Sequence, residues 1–239
     1  LGSDCIDTIL DRAKKAERII TFGMTENADV KGYDIIKSDD QGIAFKVKTK
    51  EIDDEFEITM PGLFNVDNAL AAIALTLECT IDCIKKGLKI AKCPGRMELY
   101  KSKDGVITAI VDYAHNKLSF EKIFESVRLE YPGYRVVVIF GSAGEKAISR
   151  RKDLGETAGK LVDKIYLTAE DPGEEPVLNT INDIYMHAAK FGKPIERIEE
   201  RNDAIIKALE DHDEKTVYLV LGKGAENTMK FGKDYVPYP

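Results

Sequence analysis

The sequence lacks the features that would place this chain in a membrane, outside the cell or on nucleic acid. None of its apolar runs reaches the roughly 18 residues that a membrane-spanning helix needs, and its first residues have no signal-peptide pattern. Its 35 basic residues are interleaved with 42 acidic ones, so no basic stripe marks a nucleic-acid surface. The 239 residues, 44% hydrophobic, suit one or two globular domains. We therefore expect a cytoplasmic protein that binds neither membranes nor nucleic acid.

Cysteine and histidine are scarce, which argues against a metal centre. The four cysteines are Cys5, Cys79, Cys83 and Cys93, and no histidine stands near the Cys79–Cys83 pair. Zinc sites combine such ligands at short spacings. We expect buried, reduced thiols and no metal ligand.

The loop that holds the phosphates of ATP is also missing. It needs a glycine, four residues, a second glycine, lysine and then serine or threonine, and no stretch of the sequence has this spacing. The chain alone is therefore expected to lack a phosphate-holding loop of this kind.

The first part of the chain is a mixture of short elements. A helix is expected from Asp4 to Ala16 and a strand from Arg18 to Phe22. Three alternating runs predict hairpin strands at Tyr33–Lys37, Gly42–Val47 and Glu55–Thr59. Two helices follow, Val66–Glu78 and Ile81–Ile90. Pro94-Gly95 then breaks the pattern and indicates a domain boundary, with domains at residues 1–95 and 96–239.

Beyond residue 96 strands and helices alternate regularly. The predicted strands are Met97–Lys101, Val106–Tyr113, Arg135–Phe140, Lys164–Thr168 and Thr216–Leu221. The predicted helices are Lys117–Glu130, Arg151–Leu161, Leu178–Phe191 and Asp203–Leu209. This alternation predicts an α/β domain with a largely parallel, Rossmann-like sheet.

One stretch combines a buried strand with acid and base chemistry. The run Ile107–Val111 is apolar or β-branched and leads into Asp112 and His115, after which a helical pattern begins. The carboxyl ends of parallel strands form the ligand-binding edge of such sheets, and a helix N-terminus favours anions there. Asp112 and His115 therefore indicate phosphate or carboxylate chemistry. The other histidines, His187 and His212, fit structural or solvated positions.

Three further loops should reach the same edge, and each has an ordinary alternative. Gly141–Gly144 and the following Arg150-Arg151 form either an anion-binding loop or a plain turn with solvated arginines. The acidic loop Ala169–Glu175 is either a set of caps and turn residues or a site for an ammonium group. Gly222–Glu226 is a short glycine turn with one lysine and one glutamate.

Four stretches match, in order and spacing, the later motifs of one enzyme family. They are Phe64–Ala72, Pro94–Glu98, Val111–Asn116 and Gly222–Glu226. They resemble the Mur ligases and, within that family, most closely the MurE group, which adds the third peptide residue to a UDP-N-acetylmuramoyl dipeptide. Val-Asp-Tyr-Ala-His together with Gly-Arg-Met-Glu is the specific part of the match.

The resemblance implies a domain assignment. Residues 1–95 are similar to the end of the family's central ATPase domain, which is a P-loop α/β fold, and residues 96–239 to its Rossmann-like C-terminal domain. The P-loop and the family's carbamylated lysine are expected upstream of Leu1. The chain is then expected to be a fragment that is inactive alone.

The resemblance also implies substrates and residue roles. ATP with Mg²⁺, bound mainly by the upstream part, would phosphorylate the carboxylate of the UDP-linked peptide, and an amino acid would attack the acyl phosphate in a monomeric enzyme. The nucleotide-binding residues would be Asn65, Asn68, Arg96 and Asp112, with His115 as the catalytic residue beside the reacting phosphate. The amino-acid-binding residues would be Arg151, Glu170, Asp171, Pro172, Gly173, Gly222 and Glu226.

Two departures from the family bear on the substrate. Diaminopimelate-adding members carry Asp-Asn-Pro-Arg where this chain has Glu170–Gly173, so the arginine for the distal carboxylate is absent. This favours lysine or another amino acid that lacks this carboxylate, and Glu170, Asp171 and Glu174 would suit a cationic side chain. A divergent MurE-like ligase with another acceptor is the alternative. Ala225 stands where the family has histidine.

Two other hypotheses remain. One is a related amide ligase, similar to cyanophycin synthetase or folylpolyglutamate synthetase. The other is a non-catalytic module that binds a nucleotide or an amino acid.

Overall fold

The chain folds into two compact units, one ending at Lys92 and one beginning at Cys93. The structure is a computed structural model that describes residues 6–146, 148–212 and 215–238. In that part of the chain no helix has the length and apolar character to cross a membrane.

In its described residues, the first unit combines one small sheet with three helices. Its elements are α1 (Ile6–Ala13), β1 (Phe22–Gly23), β2 (Val30–Asp39), β3 (Gly42–Lys48), β4 (Asp53–Ile58), α2 (Phe64–Leu75) and α3 (Ile81–Ile90). The strands are ordered β1-β2-β3-β4, with β2, β3 and β4 antiparallel and β1 parallel to β2. The three hairpin strands are thus confirmed. The predicted strand at Arg18–Phe22 is reduced to β1, and residues 4 and 5 of the predicted first helix lie outside the described part.

The core of the first unit lies between its sheet and the helices α2 and α3. Phe45 and Phe56 of the sheet are almost fully buried, as are Leu70 and Ile73 of α2. The expectation of buried thiols is wrong for Cys79, Cys83 and Cys93, which are exposed and free. In α3 the buried side chains are those of Ile84 and Leu88, so Cys83 falls outside the packed face. Cys5 lies outside the described residues.

The second unit is an α/β domain. Its first half comprises β5 (Glu98–Lys101), β6 (Ile107–Asp112), α4 (Lys117–Glu130), β7 (Arg135–Phe140), α5 (Ile148–Leu161) and β8 (Lys164–Leu167). The second half comprises α6 (Val177–Ala188) with a 3₁₀ turn at Ala189–Phe191, β9 (Ile195–Arg197), α7 (Arg201–Glu210), β10 (Thr216–Leu221), β11 (Thr228–Phe231) and β12 (Asp234–Pro237). The six-stranded sheet has the order β5-β6-β10-β7-β8-β9, and only β5 is antiparallel to its neighbour. The predicted Rossmann-like sheet is confirmed.

Helices cover both faces of this sheet. Val137 and Ile139 of β7 pack with Ala204 and Ala208 of α7 on one face. On the other face the ring of Phe140 lies 5.0 Å from that of Phe120 in α4. Successive side chains of a strand point to opposite faces, so the continuous apolar run of β7 is what a doubly covered strand requires.

Candidate functional site

Asp112, the last residue of β6, is a buried carboxylate that organises the chain around it. Its Oδ2 accepts a hydrogen bond from the Met97 backbone N–H at 2.9 Å, and its Oδ1 accepts one from Ala114 at 2.7 Å. Burial raises the pKa of Asp112, although these two N–H groups and the guanidinium of Arg96, 3.9 Å away, act in the opposite direction. Asp112 therefore ties the strand end to the Pro94–Met97 segment, and its contact with a nucleotide stays a prediction.

His115 has a defined hydrogen-bond arrangement beside the start of α4. Its Nδ1 lies 2.7 Å from the carbonyl oxygen of Tyr113, which can only accept, so Nδ1 carries the proton in the neutral ring and Nε2 is left as an acceptor. Asn116 caps the helix: its side chain accepts from the Ser119 N–H, and the Ser119 hydroxyl accepts from the Asn116 N–H. His115 thus stands at the positive end of the α4 dipole, where a phosphate is stabilised.

Arg96 completes this corner of the site. Its exposed guanidinium lies over the Tyr113 ring at 4.9 Å from the centroid, and the same ring meets that of His115 edge to face at 4.9 Å. The structure therefore brings together three of the predicted residues, Arg96, Asp112 and His115.

The glycine loop after β7 packs directly on the loop after β8. A Cβ atom at Gly141 would lie 2.3 Å from the carbonyl oxygen of Thr168, and one at Gly144 would lie 1.8 Å from that of Pro172. The Gly144 N–H also donates to the Asp171 carbonyl oxygen at 3.1 Å. Glycine is required here because the two backbones touch.

Arg151 is buried, so the alternative of a solvated arginine pair is wrong for this residue. It lies in the first turn of α5, which begins three residues earlier than predicted. Its guanidinium binds both carboxylate oxygens of Glu175 at 2.6 and 2.9 Å and approaches Asp183 at 3.4 Å. The hydrogen bonds between these two side chains raise the pKa of Arg151 and lower that of Glu175, and the charge of Asp183 raises the pKa of Arg151 further. To bind the Arg151 guanidinium, the carboxylate of an amino acid would have to displace Glu175 or share the guanidinium with it. Amino-acid binding by Arg151 stays a prediction.

Glu170, the first acid after β8, is almost fully buried rather than a solvated turn residue. A Cβ at Gly222 would lie 2.0 Å from its Oε2, so the glycine leaves the space that this carboxylate fills. Burial raises the pKa of Glu170 to about 7, despite the nearby charges of Arg201 and Lys223. Perturbed carboxyl groups of this kind concentrate at functional sites.

Asp171 and Gly173 are fixed by the β11–β12 hairpin. The Asp171 carboxylate accepts from the Lys230 N–H at 2.8 Å. The Gly173 N–H donates to the Lys230 carbonyl oxygen, and its own carbonyl oxygen accepts from Gly232 at 2.6 Å. Asp171 and Gly173 both have left-handed backbone angles, with φ of 43° and 62°. The hairpin, which the sequence did not predict, thus shapes the loop in which this chain departs from the family pattern.

The loop after β10 joins the ends of two other strands. The Gly222 N–H donates to the Asp112 carbonyl oxygen at 3.1 Å. The ammonium group of the buried Lys223 lies 2.9 Å from the Asp171 carboxylate and 2.5 Å from that of the exposed Glu226. Burial alone would lower the pKa of Lys223, but its bonds to Glu226 and Asp171 outweigh burial and raise it. Of the predicted residues in this loop, Glu226 is therefore linked to Asp171 through Lys223, and Gly222 contacts the end of β6.

Sequence reasoning missed Arg201 as well as Lys223. Arg201 is only 2% exposed, donating to the carbonyl oxygens of Ala169 at 3.2 Å and Leu221 at 2.7 Å and to the hydroxyl of Tyr238 at 3.2 Å. It links the ends of β8 and β10. Its place at the start of an amphipathic helix gave no local signal of burial.

Asn65 and Asn68 belong to the first unit. Asn65 is buried in α2, and its amide donates to the Pro61 carbonyl oxygen at 2.7 Å while its side-chain oxygen accepts from Asn68 at 3.0 Å. Their nucleotide-binding role stays a prediction. Within residues 6–146, 148–212 and 215–238, no group of three or more metal-ligating side chains could hold a metal ion.

Comparison with known proteins places the chain in a family. Residues 95–224 match the family model "Mur ligase, glutamate ligase domain", and residues 3–76 match "Mur ligase middle domain". The UDP-N-acetylmuramoyl-L-alanyl-D-glutamate–L-lysine ligase of Enterococcus faecalis is 37% identical over 77% of this chain and 36% of its own length. The corresponding 2,6-diaminopimelate ligase of Clostridium perfringens is 33% identical over 94% of this chain and 46% of its own length.

The fold agrees with these matches. A crystal structure of MurF from Acinetobacter baumannii superposes with a TM-score of 0.69 at 22% identity, covering 96% of this chain and 47% of that one. The chain thus spans about half the length, or less, of the proteins it matches. Because the first family model alone covers more than half of the 239 residues, the chain belongs to the Mur ligase family.

Proposed function

We propose that this chain is part of an ATP-dependent ligase that joins an amino acid, L-lysine in preference to diaminopimelate, to a UDP-N-acetylmuramoyl dipeptide in peptidoglycan precursor synthesis. One observation supports this most directly: the loops after β6, β7, β8 and β10 touch one another at the carboxyl edge of one sheet. They bring a histidine at a helix N-terminus and a set of buried and exposed carboxylates to one place. These groups suit a phosphate and an ammonium group, the two charged parts of such a reaction.

In the proposed reaction ATP phosphorylates the peptide carboxylate, the amine attacks the acyl phosphate, and phosphate leaves as the amide forms. The residues of this chain would bind and orient. His115 presents the Nε2 acceptor at the positive end of α4, and Arg96 offers an exposed guanidinium beside it. Glu226, the exposed carboxylate of the β10 loop, would bind an ammonium group of the amino acid.

The preference for lysine rests on Gly173. Family members that use diaminopimelate have arginine at this position, and the left-handed backbone at Gly173 disfavours any residue with a Cβ. With glycine at this position, the arginine that would bind a distal carboxylate is absent. The relatives include both lysine and diaminopimelate ligases, so overall similarity does not decide between the two.

The chain would form part of a longer enzyme. Residues 1–95 would be the end of the central ATPase domain and residues 96–239 the C-terminal domain of a longer, monomeric cytoplasmic enzyme. ATP and Mg²⁺ would be bound mainly by residues outside this chain, which agrees with the missing phosphate-holding motif.

The test is phosphate release by the full-length protein with the UDP-linked dipeptide and either amino acid. We expect ATP turnover to couple to L-lysine with a higher kcat/KM than to diaminopimelate. Equal values, or a preference for diaminopimelate, would refute the substrate assignment. Residues 1–239 expressed alone provide the control and should release no phosphate above background.

A further inference from the structure

Lys223 is a buried cation held between two loops of the site. Its side chain is 4% exposed, against 28% for Asp171 and 40% for Glu226, its two partners. The ammonium group is equidistant, at 2.9 Å, from both carboxylate oxygens of Asp171, and it lies 2.5 Å from Oε2 of Glu226. Lys223 therefore connects the loop after β8 to the loop after β10.

The two partners differ in how firmly they are fixed. Asp171 also accepts from the Lys230 N–H, so its position is set by the β11–β12 hairpin independently of Lys223. Glu226 is the more exposed carboxylate, and burial together with this neighbouring carboxylate raises the pKa of Tyr113. Asp171 thus holds the ammonium group of Lys223 in place, and this ammonium group in turn contacts the carboxylate of Glu226.

A merely stabilising role would not require a charged side chain here. Desolvation of a buried ammonium group offsets much of the gain from its ion pairs, so apolar side chains of similar volume in place of the whole ion-paired group often give equal stability. What an apolar side chain cannot do is fix the orientation of Glu226.

We propose that Lys223 is a positioning residue for the incoming amino acid. Anchored on Asp171, its ammonium group orients the Glu226 carboxylate so that this carboxylate receives an ammonium group of the amino acid. The proposal rests on the proposed function, in which Glu226 binds the substrate.

The test uses the full-length protein and the variant K223M, which keeps most of the length of the side chain and removes its charge. We expect the KM for the amino acid to rise about tenfold or more, while the KM for ATP changes by less than about twofold. Adding E226Q to K223M should raise the KM little further, because each change removes the same oriented contact. Additive effects of the two changes would overturn the proposal.

Lys164 provides a matched control at the opposite end of the strands. Its side chain is 12% exposed, and its ammonium group lies 2.6 Å from Asp211 and 3.6 Å from Glu196, so it is also a largely buried cation between two carboxylates. K164M should reduce thermal stability and leave the KM for the amino acid unchanged. An equal rise in KM for K164M and K223M would show a general effect of destabilisation and overturn the assignment.

A second variant covers the case in which K223M does not fold. The double variant K223M/D171N also removes the charge of the Asp171 carboxylate, which K223M alone would leave without its cation, and the rise in KM should persist. If the wild-type protein turns over ATP with the amino acid and the KM for the amino acid does not rise in the variants, the role of Lys223 is overturned and the proposed function is not. Failure of the wild-type protein to couple ATP turnover to any amino acid overturns the proposed function, and the role of Lys223 with it.

Discussion

The two edges of the six-stranded sheet place charged residues in opposite ways. At the amino edge Asp211 accepts from Lys164 at 2.6 Å and from the Tyr166 hydroxyl at 3.0 Å, and the bond from Lys164 lowers the pKa of Asp211. At the carboxyl edge burial raises the pKa of Glu170 to about 7. The carboxylate of Asp211 is thus stabilised by its partners, whereas that of Glu170 is destabilised by its burial. This difference is typical of a structural edge opposite a functional one.

Backbone conformation shows the same contrast. Glu145 and Asp171, in the loops after β7 and β8, have left-handed φ values of 59° and 43°. Such angles cost residues with a Cβ free energy and are found most often where a site requires them. Both residues lie at the carboxyl edge.

The largest expected effect is a difference in the free energy of unfolding between a variant at the carboxyl edge and one at the amino edge. R151A breaks a buried bidentate pair and leaves Glu175 without its cation, so the free energy of unfolding should fall by about 3–5 kcal/mol. K164A should cost about 1 kcal/mol, because Asp211 is partly exposed and keeps the Tyr166 hydroxyl. Chemical denaturation of both variants measures the difference, and equal losses would contradict the contrast between the edges. Titration of folded R151A with the amino acid also tests whether Arg151 binds it.

The next effect concerns pH. In the folded chain the pKa of Glu170 is about 7 against an ordinary 4.5, so the folded state binds more protons between these values. The stability of the wild-type protein should therefore fall as pH rises from about 4.5 to 7. E170Q cannot titrate, and its stability relative to wild type should rise across this window by on the order of 3 kcal/mol. Parallel stability curves for the two proteins would show that the burial of Glu170 carries no such cost.

A smaller effect tests the contact between the loops after β7 and β8. A Cβ at Gly141 meets the Thr168 carbonyl oxygen, so G141A should destabilise the second unit by about 1–3 kcal/mol. A Cβ at Gly87 in α3 would meet no atom within 4 Å, and G87A should instead stabilise its helix by about 0.5–1 kcal/mol. Thermal unfolding of both variants gives the comparison. A neutral G141A would mean that the two loops can separate without cost.

The smallest effect tests the cap beside His115. N116A removes the side chain that accepts from the Ser119 N–H and should cost about 1 kcal/mol. Thr80, the N-cap of α3, makes no side-chain cap hydrogen bond, so T80A should leave stability nearly unchanged. Chemical denaturation measures both. Similar losses in the two variants would show that the capping box adds nothing at this edge.

Local patterns in the sequence were enough to predict most of the second unit. The apolar run of β7 and the helical spacing of Phe120, Ile123, Phe124 and Val127 depend only on neighbouring residues, and both predictions are confirmed. Strand β9 has three residues, too few for an alternating pattern. The strands of the β11–β12 hairpin pair locally but have only four residues each, and the contacts of the hairpin with the loop at Gly173 join distant parts of the chain.

The site was predictable in position but not in its connections. The ends of parallel strands must meet at one edge, which placed Asp112, His115 and Gly222 together. The partners of Arg151 and Lys223 could not be inferred, because Glu175 and Asp171 are 24 and 52 residues away from them in the sequence. Which charges neutralise one another depends on the packing of the folded loops.

The strand order has a consequence for how the second unit is made. Strand β10 lies between β6 and β7, although it is the last strand of the sheet to be synthesised. Until residues 216–221 have left the ribosome, β6 and β7 have no partner between them, and the sheet remains in two parts. Folding of this unit should therefore wait for the synthesis of β10 and be slow for its size, since its central pairing joins residues more than 80 positions apart, such as Thr216 and Arg135.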